Sequence, residues 1–209
     1  MKRIIYSFML VCLIMIPACE IVQYPYYLPR DKLNLSVVLD TSGSMGGTSI
    51  EDSKSALKEI VDILVSEDIL SIVLFSDSAS ILNEAGFVSD PDALKQLVST
   101  ISASGGTYVS SGLLLGYEQV LLNLDEQKEN IVILLCDGDV DAGAIELVRE
   151  YKEMTIATSA VGVGVGADTD ILRQIAREGG GSFYNLTNSS EISGAFRDEV
   201  MLLLSPVIE

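Results

Sequence analysis

The chain has 209 residues, enough for one globular domain with a sizeable core and a short appendage. Apolar residues make up 48% and charged residues 21%, which excludes a disordered chain and a multi-pass membrane protein. There are 13 Lys and Arg against 30 Asp and Glu, a net charge of −17 that argues against nucleic acid as a partner; the absence of His excludes Ser-His-Asp and Cys-His catalysis, His-ligated zinc and imidazole acid–base chemistry.

The chain opens with MKRIIYSFMLVCLIMIPACE. Lys2 and Arg3 form a basic n-region, and the apolar run from Ile4 to Ile16 is short for a bilayer span, so the layout predicts a secretory signal and not a transmembrane helix. The run ends in Ile16-Pro17-Ala18-Cys19, which resembles a bacterial lipoprotein lipobox, with Pro17 where a small residue is usual. An ordinary secretory signal with an incidental Cys is the alternative. The resemblance implies a signal peptide over residues 1–18 and a mature chain that begins at an acylated, palmitate-bearing Cys19. It also implies an exported protein held in a bacterial cell envelope, each buried acyl methylene contributing about 0.8 kcal/mol to membrane attachment. Loss of Lys2 and Arg3 with the leader would take the net charge from −17 to −19. Of the three Cys, Cys12 would then be discarded and Cys19 acylated. That leaves Cys136, in the run IVILLC, as a buried thiol with no disulfide. Residues 19–32 read as the lipidated Cys and a tether with two Pro and three Tyr, and residues 33–209 as a single domain.

From Leu33 the pattern alternates short apolar runs with helical periods. Leu33–Leu39 is a strand. Ile50–Ser66 places Leu57, Ile60, Val61, Leu64 and Val65 on one helical stripe, with Thr48 and Glu51 positioned for a capping box. Ile69–Phe75 is a second strand and Ala79–Asn83 a short edge strand. Asp90-Pro91 starts a helix whose buried face carries Leu94, Leu97, Val98 and Ile101. Val109–Leu124 is a helix, and Ile131–Cys136 a near-continuous apolar strand of the kind covered on both faces. Ala144–Lys152 is a shorter helix, Thr155–Val165 holds a strand, and Thr169–Glu178 is a helix closed by Gly179-Gly180-Gly181. Ser182–Asn185 is a short strand, and Ile192, Phe196, Val200 and Leu203 mark a last helix. This order predicts an α/β, doubly wound sheet with no internal repeat and no second domain.

Three loops carry the chemistry. The first strand runs into Asp40-Thr41-Ser42-Gly43-Ser44-Met45, the strand Ile131–Cys136 into Asp137-Gly138-Asp139, and Ser104-Gly105-Gly106-Thr107 precedes a helix. Doubly wound sheets gather ligands outside the carboxyl ends of their strands, so the three loops meet if the first and fourth strands are neighbours. Together they offer hydroxyls from Ser42, Ser44 and Thr107 and carboxylates from Asp40 and Asp137. With no sulfur or nitrogen donor, such a site selects a hard cation: Mg²⁺, Mn²⁺ or Ca²⁺.

DTSGSM after a strand, GGT before a helix and LLCDGD at a strand end resemble the von Willebrand factor type A domain, with VVLDTSGSM, SIVLFSDSA and GGGSFYNL similar to its bacterial members. The resemblance runs from about Leu33 to Leu204. It implies a mainly parallel central sheet with one short antiparallel edge strand and helices on both faces. It also implies a complete metal-ion-dependent adhesion site, with Mg²⁺ the foremost cation. In that site Ser42, Ser44 and Thr107 bind the metal directly, Asp40 and Asp137 act mostly through water, and a partner protein supplies an Asp or Glu.

Competing readings of single motifs are weaker. Asp137-Gly-Asp139-Val-Asp141 is not an EF-hand loop, because Ala142 stands at its sixth position and Val148 at its twelfth, so Asp139 and Asp141 read as capping or surface carboxylates. Gly162-Val-Gly164-Val-Gly166 lacks dinucleotide-binding spacing and reads as a strand end, so no nucleotide is expected. The functional expectation is a non-enzymatic, membrane-anchored module for adhesion or envelope assembly. An accessory subunit of a larger envelope complex is the alternative, and a metal-dependent hydrolase is disfavoured by the lack of a general base, a P-loop, or a Lys or Arg in the site loops.

Overall fold

The computed structural model describes residues 30–205. The expected signal segment, Cys19 and most of the tether lie outside the described residues. The strands are β1 (Lys32–Asp40), β2 (Ile69–Phe75), β3 (Ala79–Phe87), β4 (Lys128–Cys136), β5 (Ala157–Val163) and β6 (Gly180–Leu186). The helices are α1 (Thr48–Ile63), α2 (Pro91–Ser99), α3 (Val109–Leu121), α4 (Gly143–Glu153), α5 (Thr169–Gly179) and α6 (Ile192–Leu203). The sheet order is β3-β2-β1-β4-β5-β6, with only the β2–β3 pair antiparallel. This is the doubly wound, mainly parallel arrangement the sequence predicts.

Alternation along the central strands divides the core in two. Leu33, Leu35, Val37 and Leu39 of β1 and Ile131, Ile133 and Leu135 of β4 face the layer built by α1 and α6. Val38 of β1 and Val132, Leu134 and Cys136 of β4 face α3, α4 and α5. Strands sealed on both faces need apolar residues at nearly every position, hence the unbroken run IVILLC. Helix α3 approaches the sheet closely through Gly112 and Gly116: a Cβ at Gly112 would lie 2.7 Å from the Phe75 ring, and one at Gly116 would overlap Val38. Across that layer Tyr117 stacks on Tyr151 at 4.2 Å and shares a 2.7 Å hydrogen bond with the Thr158 hydroxyl.

Several boundaries differ from the sequence reading. The Thr48–Glu51 capping box does not form, because Gly47, at φ 79° and ψ −127°, occupies the cap position and Thr48 is already helical. Glu51 instead pairs with Lys54 at 2.7 Å. Val65 lies beyond α1 and is exposed. Strand β3 continues to Phe87, past the expected Asn83, and its pairing with β2 carries register shifts around Ile72. Helix α3 ends at Leu121 and not Leu124. The expected caps at Asp90, which accepts from the Ala93 N–H at 3.0 Å, and at Gly180, with φ 71°, are present.

Candidate metal centre

Because β1 and β4 are neighbours and parallel, Asp40 and Asp137 emerge side by side at the carboxyl edge of the sheet. Asp40 is fully buried, and its Oδ1 accepts the Ser42 N–H at 2.7 Å, folding the chain into a single 3-10 turn, Gly43–Met45. Met45, fully buried, pins that turn to the core. The Ser42 and Ser44 hydroxyls lie 2.9 Å apart, and the Ser44 hydroxyl donates to Asp137 Oδ1 at 2.7 Å, joining residues 93 positions apart.

Thr107 comes from the loop before α3. That loop is fastened to the first by two backbone bonds, Gly43 N–H to Gly105 O at 3.0 Å and Ser104 N–H to Thr41 O at 2.7 Å. Thr107 faces Gly138, and a Cβ built there would stand 3.5 Å from Thr107 Oγ1, so glycine leaves that hydroxyl uncrowded. All five sequence-predicted residues therefore gather at one rim. Asp139 is exposed beside it, and Asp168 closes the far side with its N–H donating to Gly138 O at 3.3 Å.

Asp40 Oδ2 is buried and has no hydrogen-bond partner among the described residues. None of the ion pairs among the described residues involves Asp40 or Asp137. Burial pushes the Asp137 carboxyl above its ordinary range, with the Ser44 hydroxyl opposing and the charge on Asp40 reinforcing that shift. Burial foremost, and then the Asp40 charge, push the Cys136 thiol up as well, so that thiol stays protonated and is no nucleophile. An uncompensated buried carboxylate costs several kcal/mol unless a positive charge meets it, and a donor set made only of oxygen fits a hard divalent cation. Among the described residues no cluster of three or more His, Cys, Asp or Glu is placed to hold a metal.

Two residues that hold the rim were not singled out for that work in the sequence. Asp77, in the β2–β3 turn, accepts the Gly106 N–H at 3.0 Å, and Cβ atoms at Gly105 and Gly106 would come 2.6 and 2.7 Å from its carboxylate oxygens. Asp141 accepts the Ser110 N–H at 2.8 Å and also the Ser110 hydroxyl. It thus satisfies an orphan donor in the first turn of α3, not of the α4 helix that follows it in sequence. No local spacing marks either pairing, since the partners are 29 and 31 residues away.

A model of the von Willebrand factor type A domain matches residues 34–198. An uncharacterized protein of Synechocystis sp. is 32% identical over 172 residues, covering 80% of this chain and 41% of that protein. Human inter-alpha-trypsin inhibitor heavy chain H2 is 27% identical over 190 residues, 84% of this chain and 20% of its own length. The chain thus spans less than half of either relative. Among solved structures, the conserved hypothetical protein BatB from Bacteroides thetaiotaomicron superposes with a TM-score of 0.71 at 20% identity, covering 82% of this chain and 98% of that one. Proximal thread matrix protein 1 from the mussel byssus, with a zinc-occupied MIDAS motif, gives 0.70 at 22% identity, covering 83% of this chain and 46% of that one. At these identities the structural likeness is one of fold.

Proposed function

This chain belongs to the von Willebrand factor type A domain family, and we propose that it is a protein-binding module that recognises a partner carboxylate through a divalent cation. Asp40, Ser42, Ser44, Thr107 and Asp137 would hold the ion, Mg²⁺ foremost. The observation that carries this reading is the convergence of hydroxyl and carboxylate oxygens from three separate loops around Asp40, whose Oδ2 is buried without a partner among the described residues. The fold is the same as that of the mussel protein with zinc in its MIDAS motif, which lends support.

When bound, the cation supplies the positive charge that a partner's Asp or Glu seeks. The chain's own residues do the rest. Asp40 fixes the turn through the Ser42 N–H, Ser44 is oriented by Asp137, and the Gly105–Thr107 loop is held in register by the Gly43 N–H. The role is recognition without turnover, since the rim loops carry no Lys or Arg and the adjacent thiol is protonated. Affinity capture from an envelope extract tests it: a protein retained in Mg²⁺ and released by chelator is the expected result, and capture indifferent to chelator contradicts it.

The same proposal places the protein in a bacterial cell envelope, with residues 1–18 as leader, Cys19 acylated, residues 19–32 as tether and the domain from 33 onward. Cys19→Ala should move the protein out of the membrane fraction; a variant that sediments with membranes as wild type does would refute the anchor.

A further inference from the structure

Beside the rim lies a groove of about 300 Å³ between the β5–α5 loop and the end of β6. Gly164, Val165, Ala167 and Thr169 form one wall, and Asn185 with Thr187 the other. No lining residue is charged, in a chain of net charge −17. The surroundings are acidic: Asp139 and Asp170 are exposed nearby, and Asp77 and Asp141 brace the rim loops. Asp168 sits within the wall's sequence, yet its carboxylate caps α5 by accepting the Ile171 N–H at 3.2 Å.

The groove and the rim share one piece of chain. The Gly164 N–H donates to Leu186 O at 2.8 Å, tying the loop to β6, while Gly166 is packed so closely that a Cβ there would lie 3.1 Å from Asp137 O. Between these two fastenings Val165 projects fully into solvent, raised by the positive φ of 77° at Gly164. Adjacent strands lie about 4.8 Å apart, so the rim at the ends of β1 and β4 and the β5–β6 groove are separated by about one and a half to two strand spacings, or about 7–10 Å. An extended peptide advances about 3.3 Å per residue and covers that span in two or three residues.

We propose that this groove is the second half of the partner-binding site, taking an uncharged side chain two or three residues from the carboxylate that seeks the cation. The inference rests on the reading of the rim given above. The partner is accordingly an extended segment with one Asp or Glu followed or preceded, at that distance, by a residue without charge. A second acidic residue there meets no cation and stands among Asp139, Asp168 and Asp170, so it is rejected. Val165 is the contact that sorts one acidic segment from another.

The test is an immobilised library of short synthetic peptides with one fixed Asp and randomised flanks, probed with the full-length chain in detergent, with Mg²⁺ or with chelator. The expected result is Mg²⁺-dependent capture, with uncharged residues enriched and Asp and Glu depleted at the second and third positions from the fixed Asp. Val165→Gln, a neutral change at an exposed site, should weaken the selected peptides several-fold and leave the thermal shift produced by Mg²⁺ alone unchanged. Mg²⁺-dependent capture with no positional preference, or an affinity for the selected peptides that survives Val165→Gln, overturns the groove and leaves the cation reading standing. Absence of capture, or capture that chelator does not reverse, overturns both.

Discussion

Two aspartates at opposite ends of the same sheet are equally buried and differently served. Asp68, just before β2 at the amino edge, is inaccessible to solvent and accepts the Leu33 N–H at 3.0 Å, the Val65 N–H at 2.9 Å and the Arg30 guanidinium. Asp40, at the carboxyl edge, is inaccessible too, but accepts one N–H and has an oxygen that meets no partner and no cationic side chain among the described residues. At one end the polypeptide neutralises its own buried charge, which ties the start of β1 to the turn before β2. At the other no described residue does so, and the proposed cation would complete the arrangement. Burial alone therefore does not say whether a carboxylate is structural or functional; its partner list does.

The contrast can be broken by mutation, beginning with the largest effect. Asp68→Ala strands two buried N–H groups and the Arg30 guanidinium, and should cost about 3 kcal/mol in denaturant unfolding, with or without cation. Asp40→Ala should behave oppositely. In chelator its stability should stay near that of wild type, whereas wild type should gain about 2.7 kcal/mol from Mg²⁺ at a hundredfold excess over Kd and the variant should gain nothing. A calorimetric Mg²⁺ response retained in Asp40→Ala would show that the two aspartates are of one kind. Asp77→Ala refines the picture: losing the hydrogen bond to Gly106 should lower stability by about 1 kcal/mol or less, while Mg²⁺ affinity measured by titration falls, because the Thr107 loop is no longer braced. Equal changes in both quantities would make Asp77 an ordinary turn residue.

The sheet was legible because its central strands are sealed on both faces and carry runs that only a buried strand tolerates. The rim was legible because its hydroxyls and carboxylates lie in short motifs, two at strand ends and one just before a helix. What was not legible depends on distance or on backbone shape. Gly47 displaces the cap from Thr48 because the chain leaves the 3-10 turn at a φ and ψ open only to glycine. The outer half of β3 was missed because its irregular pairing with β2 breaks the two-residue alternation that marks a strand. Asp77 and Asp141 act on loops about thirty residues away, and nothing in their own neighbourhoods records it.

Strand β1 enters the sheet at Lys32, two residues after Arg30, and delivers Asp40 at its far end, eight residues on. At about 3.3 Å per residue the two poles stand on the order of 25–30 Å apart. A chain moored through Cys19 would therefore enter the domain at the end of the sheet opposite its acidic crown, so that the load of an anchor and the grip on a guest would fall on the two ends of one strand.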